Sequence, residues 1–270
     1  MDSAFPMSAN PPSDTLPFGD AHEALVHARR SVRAYRSDPV PDALLHHLLQ
    51  SARRAPSGGN LQPGQFIQVR GSLRGALTQA LLADWQGGAP EREDYGYFPR
   101  PMPMALRKRQ VAAAQALYSA LGVAREDRAG RDAQFGRNYR FFDAPVALVV
   151  SIDARFGAGG YMDLGMTLYG LQMAAAAQGL GSCAIGALAS YPGVVREQLG
   201  LDGRFKIVCG MAGARQGWVE APYVDVPSSL GDILGAAVPV PGAGRDVRIV
   251  PGLAQRDPRA PDVMRGEETQ

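Results

Sequence analysis

Three guanidinium groups within five residues, Arg29-Arg30-Ser31-Val32-Arg33, form the most chemically pointed stretch of this chain. An arginine presents a planar fork of donors that grips a phosphate through paired, charge-assisted hydrogen bonds. Three of them, with Arg36 close behind, exceed what the dipole of one helix end requires. They point to recognition of a phosphate, with a solvated basic face as the alternative. About one helix downstream stands Ala55-Pro56-Ser57-Gly58-Gly59-Asn60-Leu61-Gln62-Pro63. Pro56 marks Ala55 as a helix end, while Gly58 and Gly59 admit positive φ and close backbone approach. Ser57, Asn60 and Gln62 add short donors and acceptors. The plain alternative for this stretch is a turn.

Other chemistries find no residues. Cys183 and Cys209 are the only cysteines, too few for a disulfide framework and wrongly spaced for a metal; their apolar surroundings suit buried free thiols. His46 and His47 sit among leucines with no third ligand at suitable spacing. Gly157-Ala158-Gly159-Gly160 fails as a dinucleotide fingerprint because Met162 stands where the last glycine is needed. No Walker loop, nucleophile elbow or zinc signature is present. The formal net charge of +2 is too small to imply nucleic acid. No apolar run reaches membrane-spanning length, and no signal peptide opens the chain, so a cytoplasmic protein with no membrane partner is expected.

The elements that must position these residues read as follows. Residues 1–19 carry four prolines and form a flexible arm. Asp20 caps a helix from Ala21 to Arg30, which delivers the arginines at its end. Pro41 and Asp42 open a second helix with Leu44, Leu45, Leu48, Leu49 and Ala52 on one face. A strand runs from Phe66 to Arg70, a helix from Ser72 to Leu82 and another from Met104 to Leu121, closed by Gly122. Residues 84–142 are too long for a simple connection; their aromatics and arginines can cover a site or pack as a subdomain. Ala144–Ile152 is a core strand, Tyr161–Gln178 the longest helix, Tyr191–Leu199 a short one and Phe205–Ala212 another core strand. Residues 20–235 form one body, and 236–270 an extended tail rich in proline and glycine.

The two stretches above, in that order, with Gly179-Leu180-Gly181-Ser182-Cys183-Ala184-Ile185-Gly186 later in the chain, resemble the flavin-binding nitroreductase family over residues 21–217. The resemblance implies an α+β fold, a central mixed or antiparallel sheet flanked by helices, in an intertwined homodimer. It implies FMN, with Arg29, Arg30, Ser31 and Arg33 on its phosphate, ribityl chain and pyrimidine edge. Pro56, Ser57 and Gly58 would pack on the ring, often from the second subunit; Asn60 and Gln62 would meet the ring edge or hold the loop. Ala184, Ile185 and Gly186 would turn backbone N–H groups toward the flavin. The implied reaction passes hydride from NAD(P)H through the flavin to a small nitroaromatic or similar substrate, in ping-pong fashion, with no catalytic side chain. Tyr97, Phe98, Phe141 and Phe142 are candidates for shaping the substrate pocket. A flavin-dependent dehydrogenase or oxidase, and a small-molecule-binding protein with weakened flavin binding, remain alternatives. Two departures from the family stand out: Gly64 replaces a bulky aromatic after Gln62-Pro63, and 219–231 holds no cation where many members have a Lys or Arg pair. Arg215 is the nearest substitute.

Overall fold

The computed structural model describes residues 19–215 and the strand residues 247–249. Its centre is a strand with no exposed face: all but the last residue of Val146–Asp153 (β2) is buried, as expected of an unbroken apolar run. Gln65–Val69 (β1), Leu180–Ile185 (β3), Phe205–Arg215 (β4) and the short Val247–Ile249 (β5) complete one sheet in the order β3-β4-β2-β1-β5. Every strand pairing is antiparallel. The α+β reading therefore holds.

Alternation along β2 splits the core in two. Leu148, Val150 and Ile152 face a layer built from Asp42–Ala52 (α2) and Ala158–Ala177 (α6), with Leu45, Leu48, Leu164 and Leu168 against them. Ala147 and Val149 face a second layer with Leu77 and Leu81 of Gly71–Gln86 (α3) and Val195 and Leu199 of Pro192–Leu199 (α7). Each such buried aliphatic side chain contributes about 1.5–3 kcal/mol by leaving water. Cys183 and Cys209 are buried, form no disulfide and lie in opposite layers. Gly170 lets α6 approach α2 closely, since a Cβ there would stand 3.4 Å from the Ala52 Cα.

Several element bounds differ from the expectation. Gly19–Ala28 (α1) stops two residues before Arg30. The helix expected to end at Leu82 continues to Gln86, because Trp85 packs on Phe135 and Tyr139 at centroid distances of 5.5 and 5.7 Å. Met104–Ala120 (α4) has no buried residue. Arg128–Gly136 (α5) is a helix inside what read as a charged stretch; the Asp127 carboxylate caps it by accepting the Gly130 N–H at 2.8 Å. Leu180–Ile185, read only as a glycine-rich motif, is an edge strand. The flexible arm, the segment 219–231 and the extended tail lie outside the described residues, apart from Gly19 and 247–249. Among the described residues no helix is long and apolar enough to cross a membrane and no cluster could hold a metal ion.

Candidate functional site

The basic segment leaves α1 and runs beside the β3 edge. Ser31 bridges Ser182 in parallel sense, and the Val32 N–H donates to the Ser182 carbonyl at 3.0 Å. Gly181 makes this docking possible: a Cβ there would lie 2.7 Å from the Val32 Cγ2. The Tyr35 hydroxyl donates to the Val32 carbonyl at 2.5 Å, and burial raises its pKa well above the usual phenol value. The tyrosine therefore stays a donor.

Arg29 and Arg33 on this segment meet uncharged acceptors. Arg29 Nη1 donates to the uncharged Gln172 Oε1 at 3.2 Å, and Arg33 Nη1 to the Ser31 carbonyl at 3.2 Å. Neither forms an ion pair with a carboxylate among the described residues. Beside them lies a cavity of about 190 Å3 walled by Arg29, Arg30, Gln172, Gly179, Gly181 and Ser182. Two arginines on a cavity with glycine walls, one of them bonded to a neutral amide, suit a phosphate-bearing ligand. FMN fits that description.

The glycine-serine turn closes on itself. Gln62 Nε2 donates to the Ala55 carbonyl, Ser57 Oγ and Asn60 Oδ1 at 3.2, 3.2 and 3.1 Å, and the Gln62 N–H donates to Ser57 Oγ at 2.9 Å. Of the two roles open to Asn60 and Gln62, these bonds serve the one that holds the loop. Gly58 to Asn60 form a single 3-10 turn with Gly59 at φ 57°. The turn is tied to α6 by the Gly58 N–H, which donates to Asp163 at 3.0 Å, whereas Arg29 is tied to Gln172. Nine residues separate those anchors, about 13 Å along the helix. The turn and the basic segment therefore stand apart on one chain. Pro56 borders a different, shallow groove with Ala55, Met162, Met166 and Tyr169.

Of the later candidates, Ala184 and Ile185 are buried, so only their main chain is available, and Gly186 is partly open at the strand end. Tyr97 comes within 3.8 Å of the position a Gly186 Cβ would take, with Phe98 against it at 4.7 Å between centroids. Phe141 and Phe142 do not line a pocket; both are core residues at 0% and 2% exposure. Together with Asp143 they adopt φ of 54°, 52° and 60°, a left-handed turn costing about 1–2 kcal/mol per residue. Arg74 locks it, donating to the Ala144 and Arg140 carbonyls at 2.6 and 2.9 Å. Arg215 pairs with Leu180 at the end of β4. Its charge acts on Asp38, at the other end of the segment from Arg29.

The sequence reading placed Asp163 and Gln172 only as members of a long helix. Their signal was a polar residue on the buried face of an otherwise apolar helix, at 7% and 5% exposure. Such residues are retained when they hold something.

The Nitroreductase family model matches residues 26–214. The 4-nitrobenzoate reductase of Nocardioides sp. (strain LMS-CY) is 32% identical over 215 residues, 78% of this chain and 87% of that protein. The FMN and NADPH-dependent nitroreductase NfnB from Sphigopyxis sp. strain HMH superposes with a TM-score of 0.69 at 35% identity, covering 77% of this chain and 96% of that one. The FMN-dependent nitroreductase NfnB from Mycobacterium smegmatis, in complex with NADPH, gives a TM-score of 0.70 at 28% identity, covering 84% and 96%. A second model, 2-keto-3-deoxy-galactonokinase, matches residues 171–270. In line with it, 64 residues are 66% identical to the probable 2-dehydro-3-deoxygalactonokinase DgoK1 of Rhizobium meliloti (strain 1021), 24% of this chain but 21% of that protein. A fifth of a kinase does not bring its activity to this chain. The cation-free stretch 219–231 lies beyond the first match and within the second.

Proposed function

The chain belongs to the nitroreductase family, and on that footing we propose that it is an FMN-dependent oxidoreductase drawing on NAD(P)H to reduce a nitroaromatic or similarly electron-poor small molecule. The observation that carries this reading is the pair Arg29 and Arg33, whose guanidiniums meet uncharged acceptors, on a segment docked through Ser31 on Ser182 beside a glycine-walled cavity. Bound FMN would supply the redox chemistry that links NAD(P)H to the substrate, in a ping-pong reaction. Arg29, Arg30, Ser31 and Arg33 hold the phosphate, the ribityl chain and the pyrimidine edge. The main chain of Ala184, Ile185 and Gly186 offers N–H donors to the ring. Tyr97 and Phe98, beside Gly186, give a planar substrate an apolar wall. No side chain acts as nucleophile.

The working unit in this reading is a homodimer. The turn and the basic segment then act as two half-sites apart along α6; Met166 and Tyr169 between their anchors are 37% and 46% exposed, and Met162 just before Asp163 is 65% exposed. A second copy seated on this stripe removes it from water and brings one copy's Pro56-Ser57-Gly58 turn toward the other's arginines. The excursion 84–142 covers the site from outside.

An anaerobic absorption spectrum before and after NADPH tests the reading. A bound-flavin spectrum that bleaches, with reoxidation by a nitroaromatic, is the expected result. A flavin that does not bleach points to a dehydrogenase on this fold. A colourless protein that refuses added FMN overturns the flavoenzyme account.

A further inference from the structure

At the C-terminal end of the excursion, Arg137 donates from Nη2 to the Arg33 carbonyl at 2.9 Å and from Nη1 to Gln134 Oε1 at 3.3 Å. Its Cζ lies 5.8 Å from the centroid of the Phe142 ring, and the Arg33 Cζ lies 5.9 Å from the same ring. Among the described residues neither guanidinium is paired with a carboxylate. Two like charges sharing one aromatic ring gain a cation–π contact each but repel one another. An anion nearby attracts both charges and so offsets that repulsion.

The shared ring is held in place deliberately. Phe142 occupies the middle of the left-handed turn at Phe141–Asp143, which Arg74 locks from α3 and the Arg140–Asp143 ion pair closes at 2.6 Å. Strain of this kind persists only where its surroundings over-determine it, and it gathers at functional sites. Here the turn carries Phe142 to the two guanidiniums.

We propose that Arg137 is a positioning residue of the flavin site. It acts through Arg33, fixing that residue's main chain and adding a second positive charge behind it, so that flavin is bound more tightly in its reduced, anionic form than in its oxidised form. The inference rests on the assignment of Arg33 to the flavin under the proposed function. It gives the excursion a part in setting the flavin's potential, separate from covering the site.

The test measures the FMN dissociation constant and the midpoint potential of bound FMN for the wild type, Arg137→Gln, Arg137→Lys and Arg33→Gln. Arg137→Gln is expected to reduce the preference for reduced over oxidised FMN about tenfold, about 30 mV for a two-electron couple. Arg137→Lys keeps the charge and retains most of the preference. Arg137→Met, which keeps the stem on Phe142, is read by the same two numbers if the glutamine variant does not fold. Unchanged affinity and potential in Arg137→Gln or Arg137→Met, with both shifted in Arg33→Gln, overturns the proposal alone. If Arg33→Gln shifts neither, the flavin assignment itself has failed, and the role of Arg137 falls with it.

Discussion

The Asp163 carboxylate accepts the Gly58 N–H at 3.0 Å across 105 residues of sequence, and this bond sets the glycine-serine turn on the first turns of α6. Removing the acceptor leaves a partly buried N–H unpaired. Asp163→Ala is therefore expected to lower the unfolding free energy by about 1–3 kcal/mol, measured by urea titration. Asp163→Asn, whose amide oxygen can still accept, loses less. Equal stability of Asp163→Ala and the wild type means the bond is not formed in solution.

Among the described residues Arg29 meets only a neutral partner, so its charge is available to a phosphate. Arg29→Ala is expected to weaken FMN binding by the loss of one charge-assisted contact, about 1.5–3 kcal/mol, or roughly ten- to a hundredfold in the dissociation constant. Fluorescence titration of the apoprotein reads this directly. An unchanged constant removes Arg29 from the site.

Gly181→Ala forces a Cβ to within 2.7 Å of Val32, so the basic segment must move off the β3 edge. The expected cost is about 1–3 kcal/mol of stability, accompanied by weaker FMN binding. Gly213→Ala is the control, because its nearest neighbour is the Gly181 carbonyl at 3.8 Å. Equal effects from both substitutions would show that strand stiffness, not the docking of Val32, is being measured.

A carboxylate in the middle of the apolar stripe of α6 should separate two copies of the chain. Met166→Asp is expected to run as a monomer by light scattering and to lose FMN, while keeping the far-ultraviolet circular dichroism of the folded chain. A dimer that persists with full flavin content places the interface elsewhere.

Burial pushes the Tyr161 phenol up to about 12, and Tyr35 and Tyr95 move the same way for the same first reason. A group whose pKa is higher in the folded than in the unfolded chain stabilises the fold fully below the unfolded value, near 10, and that contribution is lost as pH rises through the folded value. Stability should hold below pH 10 and fall between about 10 and 12. Tyrosinate absorbance of these residues should then rise together with unfolding. Ionisation well before the unfolding transition would contradict their burial.

What the sequence determined by itself was local. Arginine spacing, the unbroken valines of β2 and the apolar periodicity of α2 and α6 follow from short-range sterics and side-chain patterning, and each is legible without a partner; α2 ends at Ala52, three residues before the Ala55 that Pro56 marked. The ordered motifs then sufficed to place the chain in its family. The edge strand Leu180–Ile185 was not legible, because so short a segment of small and apolar residues becomes a strand only through its ladder with β4. Helix α5 was hidden because a capping aspartate and a few aromatic contacts, not an apolar stripe, define it. Phe141 and Phe142 looked like pocket aromatics, yet a left-handed turn held by Arg74 folds them inward. Only tertiary structure decided that Asp163 and Gln172 hold the two motifs on one helix about 13 Å apart, and that Arg137 stands behind Arg33. Those relationships join residues about a hundred or more positions apart, and no local preference encodes a contact whose partner arrives only when the sheet closes.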